Sequence, residues 1–153
     1  MNPYINFTVD NIHDLVYRKR NIVFTNGCFD ILHCGHVKML RKAKSYGQIL
    51  VVGVNSDRAV RELKGPDRPI NCDFERAYII SSIDCVDHVF IFDDVSPLES
   101  IKTISPDILV KGGDWKEENI IGFDFMIEKG GRVCSIPYIE GYSTTEIIQK
   151  VRT

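Results

Sequence analysis

The chain has no G-x-x-x-x-G-K-[ST] loop and no G-x-G-x-x-G fingerprint. Their absence argues against a P-loop kinase and a standard dinucleotide dehydrogenase. The apolar run 49–54 falls far short of the roughly 20 residues that a membrane-spanning helix needs. Charge of one sign is not in excess either. Nineteen Lys and Arg oppose 21 Asp and Glu, for a net charge of −2. That balance gives no general attraction for nucleic acid or an anionic membrane, so neither is expected as a partner. Any anion site must therefore come from local arrangement. The five cysteines are odd in number and form no C-x-x-C pair, which fits reduced thiols in a cytoplasmic protein better than a disulfide framework. The first ten residues lack a basic segment followed by an apolar run, so no signal peptide is expected. No repeat, low-complexity tract or linker divides the 153 residues. Length predicts one domain over 1–153 with a real core, residues 1–20 forming an N-terminal helical extension.

What is present is an alternation of short apolar strands and amphipathic helices. Strands are predicted over 22–25, 49–54, 87–92, 108–110 and 132–136. Residues 8–19 have helical spacing, with Ile12, Leu15 and Val16 on one face and Thr8 as N-cap. Further helices are predicted over 37–46, from Ser56 through Leu63, over 71–83, and over 119–129. Two capping boxes mark the others. Ser96-Pro97-Leu98-Glu99 places Ser at N-cap and Pro at N1, and Ser143-Thr144-Thr145-Glu146 opens the C-terminal helix. Strands spaced by helices imply an α/β fold: a Rossmann-like, doubly wound parallel sheet of about five strands. Such sheets bind ligands beyond the carboxyl ends of their strands, where the strand order switches.

Chemistry concentrates at one turn. His33-Cys34-Gly35-His36 follows Asn26-Gly27-Cys28-Phe29-Asp30-Ile31-Leu32 and leads into a basic helix. A helix start exposes unpaired N–H groups and a partial positive charge, and two imidazoles there add directional donors. The combination predicts a phosphate site, with Lys38 one turn along. His33 and His36 are equally suited to capping the helix or packing in the core. With Cys28 and Cys34 they also offer zinc-ligand chemistry, although no second pair completes a tetrahedral set.

Three other polar stretches follow predicted strands and should reach the same edge. Asn55 and Asp57 follow the second strand, and Lys111-Gly112-Gly113-Asp114-Trp115 follows the fourth. Glu140-Gly141-Tyr142-Ser143-Thr144-Thr145 opens the last helix. The glycines at 112 and 113 would let backbone approach a flat base or ribose, with Trp115 covering the ligand or shielding the loop. Ser143 caps the last helix, whose N-terminus also suits phosphate. Lys64 and Arg68 lie on a Gly/Pro-constrained loop, read either as a solvated charge cluster or as a basic lid over a triphosphate. Arg76 offers a planar fork for phosphate oxygens, or a partner for Glu75 or Asp73.

The motifs Gly27-Cys28-Phe29-Asp30, His33-Cys34-Gly35-His36, Val54-Asn55-Ser56-Asp57, Lys64-Gly65-Pro66, Glu75-Arg76, Val110-Lys111-Gly112-Gly113-Asp114 and Glu140-Gly141-Tyr142-Ser143-Thr144-Thr145 occur in a telling order. The chain resembles the bacterial heptose-1-phosphate adenylyltransferases of the H-x-G-H nucleotidyltransferase superfamily, from about residue 21 to 151. The related glycerol-3-phosphate cytidylyltransferases usually carry an Arg before the last motif. Here Pro137-Tyr138-Ile139 stands there, which favours the heptose branch.

The resemblance implies transfer of AMP from ATP to a sugar 1-phosphate, giving ADP-heptose and pyrophosphate, a step toward lipopolysaccharide. It implies His33, His36, Lys64 and Arg76 as catalytic residues. Nucleotide contacts would come from Asn26, Gly27, Cys28, Phe29, Asp30, Lys38, Lys111, Gly112, Asp114, Tyr142, Ser143, Thr144 and Thr145. Substrate contacts would come from Asn55, Asp57, Arg68 and Trp115. Mg²⁺ would accompany ATP. The partners implied are a homo-oligomeric copy and a separate upstream sugar kinase, because relatives often carry a kinase domain fused ahead of this one. The alternatives are a polyol-phosphate cytidylyltransferase and a non-catalytic nucleotide-binding module.

Overall fold

A computed structural model describes residues 5–6, 9–17 and 19–153. Its centre is one parallel sheet built from β1 (Ile5–Asn6), β2 (Ile22–Gly27), β3 (Ile49–Asn55), β4 (His88–Phe92), β5 (Ile108–Gly112) and β6 (Arg132–Ile136). The strand order is β1-β4-β3-β2-β5-β6. The five expected strands are all present, and the two-residue β1 adds an edge beside β4. The chain steps from β2 outward to β3 and β4, then returns to lay β5 on the other side of β2. Beside β2 the winding reverses, and there the connections diverge and leave a crevice.

Helices cover both faces. Leu40 and Ala43 of α2 (Cys34–Lys44) and Ala77 and Ile80 of α4 (Asp73–Ser81) pack on Val23, Leu50, Val52 and Val110. On the opposite face, Ile12 and Val16 of α1 (Val9–Val16), Ile101 and Ile104 of α5 (Leu98–Ile104) and Met126 of α6 (Phe123–Glu128) pack on Phe24, Val51, Phe90 and Leu109. Burial from both sides explains why β3 reads as an unbroken apolar run. Two further helices, α3 (Asp57–Lys64) and α7 (Thr144–Arg152), begin at the sheet's carboxyl edge behind the caps Ser56 and Ser143.

Several boundaries differ from expectation for local physical reasons. Helix α2 begins at Cys34 rather than Val37, because His33 caps it. Helix α4 starts at Asp73 rather than Asn71, since the Ile70 and Asn71 N–H groups are donated to Asp30. The segment expected to be a helix over 119–129 is broken into a 3-10 turn, Glu117–Asn119, and α6. Gly122 separates them at φ +97°, where a Cβ would meet Ile101 at 2.8 Å. Ser96 does not cap α5. Pro97 holds that position, and Ser96 Oγ accepts the Leu98 N–H at 3.4 Å. The expected cap at Thr8 and the inward Leu15 side chain lie outside the described residues.

Candidate active site

The turn after β2 is built around the two histidines. Phe29 and Ile31 adopt left-handed backbone at φ 49° and 50°, an unusual geometry for bulky residues that functional turns often hold. Burial of the Phe29 ring, 5 % exposed, anchors the turn in the core. His33 then caps α2, its Nδ1 accepting the Gly35 N–H at 3.1 Å. His36, at N3, completes the box by accepting the His33 N–H through its own Nδ1 at 3.3 Å. The two rings stack at 3.8 Å between centroids, 22° from parallel. The histidines therefore do cap the helix, and capping arms them. With Nδ1 accepting in both rings, the proton of each neutral imidazole sits on Nε2.

Burial, aided by the neighbouring His33, pushes the His36 pKa down to about 4, with Asp30 pulling weakly the other way. Burial lowers His33 as well. Both rings are thus neutral N–H donors at pH 7. Gly35 is required by crowding: a Cβ there would sit 3.0 Å from the His33 ring and 3.1 Å from Tyr142 Cβ.

Two buried ion pairs fix the turn from beneath. The Asp30 carboxylate, fully enclosed, accepts from Arg68 Nε at 2.7 Å, the Ile70 N–H at 2.8 Å and the Asn71 N–H at 3.0 Å. Arg76 donates to Asn71 O at 2.9 Å, Cys28 O at 2.6 Å and Asp57 Oδ1 at 2.9 Å. These contacts correct the assignments of Arg76 and Asp57, which do not line the cavity, and define the part Asp30 plays. Arg76 is 1 % exposed, with its donors engaged and no face on the cavity, so it braces the turn rather than meeting phosphate. Asp57 faces Arg76 rather than a substrate. Asp30 restrains the basic loop through its side chain and offers no free carboxylate to a nucleotide.

The remaining walls come from the far side of the switch. The Gly113 N–H donates to Ile136 O at 2.8 Å, joining the glycine loop to the end of β6. The Trp115 N–H donates to Ser135 Oγ at 3.2 Å, and its indole N–H folds back to Gly112 O at 3.3 Å. Trp115 thus shields its own loop. At the start of α7, the Thr144 hydroxyl donates to Asp30 O at 2.8 Å, bridging 114 positions of sequence. Lys38 is exposed and lies 5.4 Å above the Tyr142 ring.

These segments enclose a cavity of about 950 Å³. His33, His36, Lys64, Arg68, Asn55, Trp115, Asn26, Gly27, Cys28, Phe29, Asp30, Lys111, Gly112, Tyr142, Ser143, Thr144 and Thr145 all line it. Lys38, Asp57, Arg76 and Asp114 do not. The sequence reading missed the wall contributed by Val95 and Pro97 after β4, and that of Asn119, Ile120 and Ile121 before α6. The position of Val95 and Pro97 just beyond a strand's carboxyl end was the available signal. The 119–121 segment was hidden by its assignment to helix.

A cytidylyltransferase-like family model matches residues 24–150. The chain belongs to the cytidylyltransferase-like family. It is similar to the bifunctional protein HldE of Geotalea uraniireducens, with 52% identity over 89% of this chain and 28% of that protein. It is likewise 54% identical to the bifunctional protein HldE of a Nitratiruptor species, over 92% of this chain and 29% of that one. The chain thus spans less than a third of the length of these curated relatives. Among solved structures, the lipopolysaccharide core biosynthesis protein from Thermoplasma volcanium superposes with a TM-score of 0.68 at 28% identity, covering 78% of this chain and 98% of that one. Pantothenate synthetase from Thermus thermophilus shares the fold, with a TM-score of 0.63 at 15% identity over 95% of this chain and 70% of that one.

The cytidylyltransferase-like chain is a nucleotidyltransferase, and its cavity carries the charge such an enzyme needs. Arg68 and Arg76 are neutralised by Asp30 and Asp57. Lys64 and Lys111 line the cavity without a carboxylate partner among the described residues. Burial lowers the Lys111 pKa from its ordinary value, Cys28 offsetting this and Lys64 adding to it. No three His, Cys, Asp or Glu side chains among the described residues cluster closely enough to hold a metal ion, so Cys28 and Cys34 do not join the histidines in a zinc site.

Proposed function

We propose that this nucleotidyltransferase transfers AMP from ATP to heptose 1-phosphate, forming ADP-heptose and pyrophosphate. The observation that carries the reading is the stacked histidine pair at the start of α2, lining one cavity with Lys64 and Lys111, which have no carboxylate partner among the described residues. A phosphate oxygen of the sugar phosphate attacks the α-phosphorus of ATP. The bond from that phosphorus to the bridging oxygen breaks, and its electron pair leaves with pyrophosphate. No protein nucleophile is required, so catalysis consists of positioning and charge stabilisation.

His33 and His36 donate Nε2–H to the transferring phosphoryl group as charge builds. Lys64 and Lys111 neutralise phosphate oxygens, and the first-turn N–H groups of α7 add a second helix-start donor set. Mg²⁺ bound to the nucleotide would supply further charge neutralisation on the leaving phosphates. Tyr138 supports the heptose branch, since it stands where the glycerol-phosphate enzymes usually carry an arginine and cannot do an arginine's electrostatic work. The sugar 1-phosphate must come from a phosphorylating enzyme, and the use of ATP is consistent with reaction in the cytoplasm. No helix among the described residues is long and apolar enough to cross a membrane.

The test is a matrix of each nucleoside triphosphate against sugar and polyol phosphates, read as pyrophosphate release. ATP with heptose 1-phosphate should be the fastest pair. Faster turnover of CTP with glycerol 3-phosphate would install the polyol-phosphate cytidylyltransferase instead. Release from no pair would leave a nucleotide-binding module.

A further inference from the structure

Helix α4 is apolar on two faces, and the fold covers one of them. Ala77 and Ile80 pack on the sheet. Phe74, Tyr78 and Ile79 stay 43%, 48% and 37% exposed. A helix that is apolar all round is normally buried all round. Residues four apart form ridges along a helix. Phe74 and Tyr78 make one ridge, with 6.2 Å between ring centroids. Glu75 and Ile79 make the next, with Asn71 ahead of them. These five residues line an open groove of about 340 Å³, and no other described residue lines it.

The accessible charge of the groove has one sign. Asp73 and Glu75 stand in the first turn of α4, and its last turn has no basic residue. Arg76 is turned inward to Asp57. Neither Asp73 nor Glu75 has an ion-pair partner among the described residues.

The same chain carries a helix of complementary character. No residue of α7 is fully buried. Ile147 and Ile148 are half-buried, and Val151 is 81% exposed. Spaced by three and four positions, Val151 and the two isoleucines share one face, an apolar stripe on an otherwise polar helix. The last turn is basic: Lys150 and Arg152 are exposed and form no ion pair among the described residues. A groove with an acidic end and a stripe with a basic end thus occur on one molecule. Neither shares a residue with the active-site cavity.

We propose that a second copy of this chain docks here, the α7 stripe of each copy seated in the α4 groove of the other about a two-fold axis. Lys150 and Arg152 of one copy then meet Asp73 and Glu75 of the other. That alignment sets the carboxyl end of α7 against the amino end of α4, a favourable pairing of helix dipoles. Two-fold contacts are reciprocal, so each surface is used twice. The second contact doubles the area that one helix face supplies, which a stable interface needs. The resemblance implies a homo-oligomer without a surface; the groove and the stripe supply one. The inference stands apart from the nucleotidyl-transfer reading, since no substrate enters it.

The test is sedimentation velocity on the full chain, wild type and the variants Tyr78→Glu and Val151→Glu, each checked for folding by circular dichroism. Wild type should be dimeric in the micromolar range. In a dimer of either variant, both contacts have one altered side, so the dimer Kd should rise roughly tenfold or more. An equimolar mixture of the two variants should associate more tightly than either alone, because a mixed pair keeps one contact free of substitution. A monomeric wild type would overturn the proposal. A Val151→Glu variant that dimerises like wild type would overturn it too, setting α4 against α4 instead, and so would an undisturbed Tyr78→Glu dimer. A mixture no tighter than its components refutes the exchange of helices. Should Tyr78→Glu fail to fold, Ile79→Glu takes its place in the same measurements.

Discussion

Asp30→Asn isolates the charge that holds the basic loop beneath the active turn. The substitution keeps shape and one acceptor oxygen. It replaces the other oxygen with an amide donor facing the donors of Arg68, Ile70 or Asn71. Hydrogen bonds to a charged group are worth about 1.5–3 kcal/mol each, and removing one partner of a buried pair costs about 3–5 kcal/mol. Arg68 keeps 15% of its side-chain surface in water while the Asp30 side chain has none. Rehydration of the guanidinium therefore limits the loss to the lower end, about 3 kcal/mol. For a domain of this size that corresponds to a fall in Tm of roughly 6–12 °C.

The effect has a pH signature. Burial pushes the Asp30 carboxyl up, but the Asn71 and Ile70 N–H groups and Arg68 outweigh it and leave the group below its ordinary value. A carboxyl depressed in the folded state stabilises above its unfolded pKa, about 3.9, and that contribution is lost as pH falls through the folded value. Thermal melts followed by circular dichroism should therefore show the full gap between wild type and Asp30→Asn at pH 7, shrinking below about pH 4. Equal melting temperatures at pH 7, or an undiminished gap in acid, would refute the ion-pair account.

His36→Ala should lower kcat by ~10²–10³ while the melting transition stays cooperative, and normal turnover in the folded variant would remove the histidine from catalysis. Because burial and His33 hold the His36 pKa at about 4, the wild-type rate should show no imidazole limb near 6.5; an inflection there that is absent from the residual rate of His36→Ala, and so does not come from the substrate phosphates, would contradict the neutral-donor assignment. Lys64→Ala should raise the KM for ATP with little change in Tm, and an unaltered KM would reduce the loop to a solvated turn. Thr25→Val should leave stability unchanged or raise it by up to ~1 kcal/mol, since the Thr25 hydroxyl is buried without a partner among the described residues; a loss greater than that in denaturant titration would reveal a hidden partner.

The alternation of elements was legible because fully buried strands and capped helices leave local signatures. The apolar run of β3 and the Ser143 cap are examples. Strand ends were less legible. Asn26, Asn55 and Lys111 look like loop residues in the sequence, yet the hydrogen-bonded ladder runs through them and decides which face they serve. Arg76 shows a different limit. Its spacing suits a phosphate fork, but two of its acceptors are backbone carbonyls, Cys28 O and Asn71 O, and the direction of a carbonyl is set only by the assembled fold. The histidines were ambiguous between capping and chemistry because the two roles use different nitrogens of the same rings.

That division of labour between ring nitrogens has a cost for any variant of the motif. An asparagine or serine at position 33 could still begin the helix, but the reactive proton would vanish with the imidazole. A histidine turned to present its other nitrogen would leave the first coil of α2 unsealed. Reactivity and helix nucleation are therefore inherited together, and the chain arrives at its donor geometry by folding alone, before any nucleotide is encountered.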